Sequence, residues 1–235
     1  SGGDARKFLN ILELIATTPE ALERKSFTIS DEIVAQQIQR NPGVYDKGGE
    51  MHYDIISAFI KSIRGSDPDA AIYWLARMIE GGEDPKFIAR RLVISASEDI
   101  GLANPNAMLI AEAAFTAVER IGWPEGRTPL AEATIYLASS PKSNSAYTAI
   151  NQALAFVRKS PPHPVPMHLR NASTELMDEL GYGKGYVYPH DYKGHYAPQQ
   201  YLPDEVVGTP FWRPADNAQE AQLLQRLRQM KGEPE

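Results

Sequence analysis

This sequence of 235 residues lacks several features that mark common sites and anchors. It has no cysteine, which excludes disulfide bonds and thiolate metal ligands. It also lacks the patterns GxxxxGK[ST] and HExxH, which cradle a nucleotide triphosphate and hold a catalytic zinc ion, respectively. No apolar run approaches the roughly 20 residues that cross a bilayer. We therefore expect a cytoplasmic chain with no catalytic residues, no metal site and no membrane anchor.

An excess of positive charge is missing as well. The chain carries 24 Lys and Arg against 30 Asp and Glu, and its formal net charge is -6. A domain that binds duplex DNA usually presents a basic surface, because neutralising phosphates supplies much of the affinity. Any nucleic-acid contact must therefore be local or come from residues outside this chain. Because the chain opens at Ser1 directly into helix-like sequence, we expect it to be a piece of a longer protein.

Strand-like alternation with a period of two is too short anywhere to predict a sheet, whereas helical spacing recurs along the chain. Residues 3–16 place Phe8, Leu9, Leu12 and Ile15 on one face. The helix starts that follow are marked by capping residues. Ser30 can cap one helix, and Asp67-Pro68, Asp84-Pro85 and Asn104-Pro105 each set a capping side chain before a proline. The fold class predicted is all-α.

Composition divides the chain into three zones, about residues 1–40, 51–160 and 161–235. Pro and Gly residues in 41–50 indicate a linker between the first two zones. The third zone opens with a proline-rich run (161–168) that excludes a regular helix. It continues through a Gly- and Tyr-rich segment and ends in a polar helix after Asn217, for which we find no motif.

The Gly- and Tyr-rich segment, residues 181–201, leaves two interpretations open. Aromatic rings interleaved with Lys184 and Lys193 are typical of single-strand binding, with Tyr186 and Tyr188 as stacking candidates. Alternatively, the tyrosines bury their rings against helices while their hydroxyls reach water or backbone. Because the chain has no basic excess, we favour burial.

Other polar clusters carry weaker signals. The pairs His163/His168 and His190/His195 fit no i,i+4 metal pair, so we expect ordinary hydrogen bonding. Arg90-Arg91 and Glu98-Asp99 lie on one predicted helix, either as a solvated face or as contacts between helices or subunits. An independent enzyme is the least favoured reading, because no nucleophile, base and orienting group are brought together.

Long motifs in a fixed order resemble one protein family. They begin with HYDIISAFIKSIRGSDPDAAIYWLARMIEGGEDPKFIARRLVISASEDIGLANP (52–105). PLAEATIYLASSPKSNSAY (129–147), PVPMHLRNAST (164–174) and LGYGKGYVYPHDY (180–192) follow. Together they resemble the C-terminal part of the MgsA/RarA family. Its members are replication-associated recombination proteins, AAA+ ATPases related to clamp loaders and to the Werner-helicase-interacting protein.

The resemblance implies a role for the start of the chain. Gly3-Asp4-Ala5-Arg6 is similar to the sensor 2 motif, whose arginine contacts the γ-phosphate of ATP held by an upstream P-loop domain. The guanidinium suits this because it stays charged and offers a fork of donors. The resemblance thus implies ATP and Mg in the full-length protein, with Arg6 as one part of an incomplete site.

It also implies an organisation and a function. Residues 1–45 would be the C-terminal part of the AAA+ lid, 46–160 a clamp-loader-like helical oligomerisation domain, and 161–235 its irregular extension and tail helix. The parent would be a homotetrameric, DNA-dependent ATPase acting in replication, recombination and repair at stalled forks. It would be nucleoid-associated, with single-stranded-DNA-binding protein as a partner. Apart from the resemblance, Trp74, Phe87, Met108, Phe115 and Trp123 offer more apolar surface than a monomer needs, which favours self-assembly; the alternative is that the same residues fill a monomer core. The alternative function is single-stranded or fork DNA binding through residues 181–201.

Overall fold

Every regular element of the computed structural model is helical, within the residues that it describes, 5–22, 28–40 and 50–232. The predicted all-α class is confirmed. The α-helices are α1 (Ala5–Ala16), α2 (Pro19–Leu22), α3 (Asp31–Arg40), α4 (Glu50–Arg64), α5 (Pro68–Glu80), α6 (Pro85–Ser95), α7 (Asn106–Ile121), α8 (Arg127–Ser139), α9 (Ser145–Lys159), α10 (Glu175–Glu179) and α11 (Ala218–Lys231). Ala96–Ile100 is a π-helical turn, and short 3-10 turns occupy Gly101–Ala103, Met167–Leu169, Pro189–Asp191 and Lys193–His195.

The chain forms two compact units. The first comprises the described residues up to Ile100 together with Asn104–Lys142, and the second comprises Gly101–Ala103 together with the residues from Ser143 onward. The domain boundaries after residues 45 and 160 stay a prediction. The predicted linker lies outside the described residues, apart from residue 50, where α4 begins. No helix in the described ranges is long and apolar enough to cross a membrane.

The first unit is built around a continuous apolar core contributed by α4 to α8. Phe59, Ile88 and Leu92 are completely buried in it. Alanines with almost no exposed surface lie between them, among them Ala71 and Ala111. Because an alanine side chain is short, helices that meet at these positions can pack closely. The buried alanines therefore allow the helices of this unit to approach one another closely.

Two of the predicted proline-linked caps of the first unit are present. Asp67 Oδ1 accepts a hydrogen bond from the Ala70 N–H at 2.9 Å, and Asp84 Oδ1 accepts one from the Lys86 N–H at 3.0 Å. Ser30 also stands at the start of its helix, where its carbonyl accepts from the Val34 N–H at 3.1 Å.

The third proline-linked cap, at Asn104, was predicted wrongly. Pro105 is already in the helical region, and no side chain caps α7. The Asn104 amide instead donates to the Tyr136 hydroxyl at 3.0 Å and to Ser140 Oγ at 3.2 Å, both at the end of α8. Because the side chain is hydrogen-bonded to residues distant in the sequence, it does not cap the helix that follows it.

The charged residues of α6 and the π turn show both predicted arrangements: Asp99 contacts another helix, and Arg90 lies on a solvated face. Asp99 is only 8% exposed, and its Oδ1 accepts from Arg64 Nε on α4 at 2.6 Å, a contact between helices. Arg90, by contrast, makes an exposed pair with Asp84 at 3.4 Å.

A buried carboxylate fixes the tail helix of the second unit. Glu220 is completely buried. It accepts from the Ala215 N–H at 3.0 Å, from the Asn217 side-chain amide at 2.9 Å, and from the Ser143 hydroxyl. Burial alone would raise the pKa of Glu220, but the hydrogen bonds from Ser143, Ser145, Asn217 and Ala215 outweigh it and lower the pKa. The carboxylate thereby ties the start of α11 to the residues that precede α9.

Candidate nucleic-acid and self-assembly surfaces

The Gly- and Tyr-rich segment presents its rings to solvent. Tyr186, Tyr188, Tyr192 and Tyr201 are each 46% to 53% exposed. The favoured expectation that these tyrosines bury their rings is therefore wrong for the four. The physical reason is the path of the chain, because the segment runs through successive turns, including the 3-10 turns Pro189–Asp191 and Lys193–His195.

The segment is nevertheless held in place by hydrogen bonds. The Gln199 side chain donates to the Val187 carbonyl at 2.6 Å and accepts from the Val187 N–H at 3.3 Å. The same amide donates to the Tyr201 hydroxyl at 2.8 Å. His168 Nε2 lies 2.7 Å from the Gln200 carbonyl oxygen. The Gln199 side chain thus links the backbone at Val187 to the C-terminal end of the segment.

Aromatic rings adjoin one another on this surface. The Tyr188 and His190 rings are 5.1 Å apart between centroids, and the His190 and His195 rings are also 5.1 Å apart. Lys184 and Lys193 are both exposed. All four residues predicted to contact nucleic acid, Lys184, Tyr186, Tyr188 and Lys193, therefore lie exposed on one segment.

Sequence reasoning missed the arginine beside this segment. The Arg170 guanidinium lies over the Tyr182 ring, 5.1 Å from its centroid, and Arg170 Nε donates to the Val165 carbonyl at 2.7 Å. Such a cation–π contact adds to the packing of a ring that is partly exposed. No sequence pattern pairs an arginine with an aromatic residue twelve positions on, so only the fold reveals it.

A second candidate surface is an apolar stripe along α9. Four large side chains occupy it, with exposed fractions of 48%, 56%, 43% and 68% for Tyr147, Ile150, Leu154 and Val157. Their spacing puts them on neighbouring turns of one helical face. Only Ser145 of α9 is fully buried. The stripe was not among the sequence predictions, although its helical spacing of i, i+3, i+7 and i+10 is visible in the sequence.

The five large apolar residues singled out in the sequence are divided between the core and the surface. Trp74, Phe87 and Phe115 pack against the core of the first unit, whereas Met108 and Trp123 are exposed. Large apolar side chains fill a core whenever a neighbouring helix can cover them. The alternative of core filling therefore holds for the first three residues.

The structure describes the backbone of Arg6, the predicted nucleotide contact, but not its side chain. Arg6 belongs to the first turn of α1, but its side chain lies outside the described residues, as do Gly3 and Asp4. The sensor 2 assignment therefore stays a prediction. Among the described residues, no group of three or more histidine, aspartate or glutamate side chains could hold a metal ion.

Two family models together match residues 1–231 of the chain. A family model described as MgsA AAA+ ATPase C terminal matches residues 65–231. The chain belongs to this family. A second model, AAA C-terminal domain, matches residues 1–64. The resemblance that the motifs suggested is confirmed.

Curated relatives match nearly the whole chain. Replication-associated recombination protein A of Escherichia coli K12 is 43% identical over 226 residues, covering 96% of this chain and 51% of the relative. The protein of the same name from Bacillus subtilis is 44% identical, with 96% and 53% covered. ATPase WRNIP1 of Dictyostelium discoideum is 38% identical, with 89% and 26% covered. The chain thus spans about half the length of these two bacterial relatives.

Proposed function

We propose that this chain is the self-assembling C-terminal part of a DNA-dependent AAA+ ATPase that acts in replication, recombination and repair at stalled forks. Family membership and the names of the bacterial relatives support the cellular role. In this proposal the parent protein is a homotetramer at the nucleoid, with single-stranded-DNA-binding protein among its partners. Holding several ATPase modules together would strengthen DNA binding without any new contact, because tethering raises effective concentration.

One observation carries the self-assembly proposal, the exposed stripe of Tyr147, Ile150, Leu154 and Val157 on α9. A stable interface takes about 800 Å² from each partner and has an apolar centre with a polar rim. The stripe supplies such a centre, and exposed polar residues such as Asn151 and Arg158 flank it. Leaving four large apolar side chains in water along one helix would forfeit the free energy that their burial provides.

The test is the solution mass across a dilution series, by sedimentation equilibrium. We expect the unmodified chain to form a tetramer and the variant Ile150→Asp/Val157→Asp to be a monomer. The matched control, Gln152→Asp/Ala155→Asp, adds the same two charges on exposed positions of α9 away from the stripe, and it should assemble as the unmodified chain does. A monomeric unmodified chain at high concentration would contradict self-assembly. Equal assembly by all three proteins would exclude the stripe.

Nucleotide binding belongs to the parent protein in this proposal, with ATP and Mg as its cofactors. This sequence has no GxxxxGK[ST] pattern, so Arg6 could contribute a single cation to a site built mainly by other residues. Replacing Arg6 with Ala in the parent should strongly reduce ATP hydrolysis and leave the solution mass unchanged. Loss of assembly in that variant would show that lid and oligomerisation surface are not separate.

A second function, binding of single-stranded or fork DNA, is favoured by the exposed rings of residues 181–201. Bases stack on aromatic side chains largely irrespective of sequence, at about 1–3 kcal/mol per base. Lys184 and Lys193 offer cations for the phosphates, against one acid within the segment, Asp191. The geometry therefore suits a weak, salt-sensitive contact that gains strength when several copies assemble.

Fluorescence anisotropy with a labelled oligothymidine at low salt tests this second function. Binding should weaken with added salt and should fall about tenfold or more in Lys184→Ala/Tyr186→Ala/Tyr188→Ala, because two stacking rings and one phosphate contact are lost. The control variant Lys61→Ala/Tyr53→Ala/Tyr73→Ala removes the same residue types from exposed positions of the first unit. Absence of binding at low salt, or equal affinity of the two variants, would rule out the segment.

A further inference from the structure

Three neighbouring rings lie on the Gly- and Tyr-rich segment, and two of them belong to histidines that have no part in either function. The rings of Tyr188, His190 and His195 follow one another, with 5.1 Å between neighbouring centroids and interplanar angles of 45° and 49°. Tilted rings at this distance make favourable contacts. All three residues are exposed. They therefore form one accessible aromatic surface, which we call the ring platform.

The backbone places His195 on the ring platform at a cost in conformational energy. Its φ is 55°, a left-handed conformation that residues other than glycine adopt only uncommonly. Gly194, directly before it, has a φ of 75°, and the His195 N–H donates to the Tyr192 carbonyl at 3.0 Å. Strained residues persist only where the surrounding structure holds them, and they are concentrated at binding and active sites. The unusual conformation of His195 therefore points to a role for its ring.

The spacing of the rings determines how a ligand can use the platform. Consecutive bases of a strand lie about 3.4 Å apart, so a base inserted between two rings needs roughly 7 Å between them. The separations of 5.1 Å leave no room for such a base. A base can therefore stack only on the outer, exposed surface of the platform. Because every base has a π face, stacking of this kind tolerates any sequence.

The charges beside the platform contribute little attraction for phosphate. Exposed Lys193 belongs to the same 3-10 turn as His195, and exposed Asp191 belongs to the turn that contains His190. One positive and one negative formal charge therefore offset each other here. Since phosphate neutralisation is weak at this place, base stacking must provide most of the local affinity for a strand.

We propose that the ring platform binds unpaired bases of a nucleic-acid strand, and that His190 and His195 act there by stacking. The inference rests on the proposed strand-binding function of residues 181–201 and adds two histidines to its binding residues. A duplex keeps the faces of its bases within its own stack, whereas a single strand exposes them. The platform therefore favours single-stranded segments.

Fluorescence anisotropy at low salt tests the proposal with the full chain and two labelled strands. One strand has twelve deoxyadenosines, and the other has the same phosphates and sugars but no bases. We expect the deoxyadenosine strand to bind about tenfold or more tightly than the abasic strand, because only bases can stack. Free deoxyadenosine monophosphate should compete only weakly, because a single nucleotide lacks the neighbouring contacts of a strand.

Variants of the histidines separate stacking from other roles. His190→Ala/His195→Ala should weaken binding of the deoxyadenosine strand about tenfold or more and leave binding of the abasic strand within about twofold. His190→Phe/His195→Phe keeps two rings without charge or hydrogen-bonding groups, so its affinity should stay within about threefold of the unmodified chain. His163→Ala is the matched control, because His163 Nδ1 lies 3.5 Å from Glu205 Oε2 and not on the platform. It should bind both strands as the unmodified chain does.

Two glycines test the placement of the His195 ring without changing the ring itself. Gly194 and Gly208 have φ values of 75° and 83°, and an added Cβ would meet no atom within 4 Å at either position. Alanine is therefore strained to a similar degree at both, but only Gly194 precedes a ring of the platform. Gly194→Ala should weaken binding of the deoxyadenosine strand about threefold or more, and Gly208→Ala should leave it unchanged. Circular dichroism checks that both variants are folded.

Several results would overturn the proposal. These are equal binding of the deoxyadenosine and abasic strands, strong competition by the mononucleotide, unchanged affinity in the alanine double variant, or a phenylalanine double variant as weak as the alanine one. If Lys184→Ala/Tyr186→Ala/Tyr188→Ala lost binding while His190→Ala/His195→Ala kept it, strand binding by the segment would stand and the role of the histidines would be refuted. Absence of binding by the unmodified chain would refute both.

Discussion

The two units differ in what they do with large apolar side chains. In the first, α4 to α8 gather them into one continuous core, with Phe59 and Leu92 completely buried. In the second, the fully buried hydrophobic residues within the described ranges are Ala103, Ala197 and Val206. Large side chains along α9 and on residues 181–201 stay exposed. The first unit is thus stabilised mainly by its interior, whereas the second leaves most of its large apolar side chains in contact with solvent.

The largest effect should come from removing the same side chain in each unit. Leu92→Ala leaves a cavity in the first core and should lower the free energy of unfolding by about 3 kcal/mol. Leu154→Ala on α9 should change it by less than about 1 kcal/mol, because its side chain is already partly in water. Urea denaturation followed by circular dichroism measures both. Similar losses for the two variants would break the comparison between the units.

A smaller effect is expected where the second unit is held by polar contacts. Glu220→Gln replaces a buried carboxylate with a neutral amide, and it should lower the stability of α11 by about 1–2 kcal/mol at neutral pH, since its donors lose a charged acceptor. Amide hydrogen exchange in α11 reports it. Glu112→Gln, an exposed change on α7, is the matched control. Equal protection of α11 in both variants would show that Glu220 does not anchor the helix.

The same carboxylate gives α11 a pH dependence with a definite sign. Because the folded-state pKa of Glu220 is lowered, its contribution is complete above the unfolded-state pKa and is lost as the pH falls through the folded-state pKa. Protection of α11 should therefore decrease on acidification in the unmodified chain and decrease less in Glu220→Gln. An identical acid profile in the two proteins would contradict this assignment.

Sequence reasoning succeeded where the signal is local. Helix starts at Asp67 and Asp84 followed from a capping carboxylate and the fixed φ of proline. Asn104 shows the limit, because its amide is used by Tyr136 and Ser140, which lie more than thirty residues away along the chain. A cap prediction from sequence cannot anticipate a tertiary partner that competes for the same side chain.

The candidate sites were predictable only in part. The spacing of Ile150, Leu154 and Val157 predicts an apolar stripe, but whether a neighbouring helix covers it depends on tertiary packing. The same holds for Tyr186 and Tyr188, whose exposure was not evident from composition. Leu102 and Trp212 line one apolar depression together with residues of α11, and no sequence motif predicts that positions more than a hundred residues apart lie together.

The most direct measurement of the central claim uses the absence of native cysteine. A single thiol is introduced on the stripe, as Leu154→Cys, or off it, as Gln152→Cys, and its rate of modification is followed as the protein concentration rises. A thiol covered by another copy reacts more slowly, since reactivity requires access. If α9 mediates assembly, the rate should fall with concentration for Leu154→Cys and stay constant for Gln152→Cys. Unchanged rates for both thiols while the solution mass increases would contradict it.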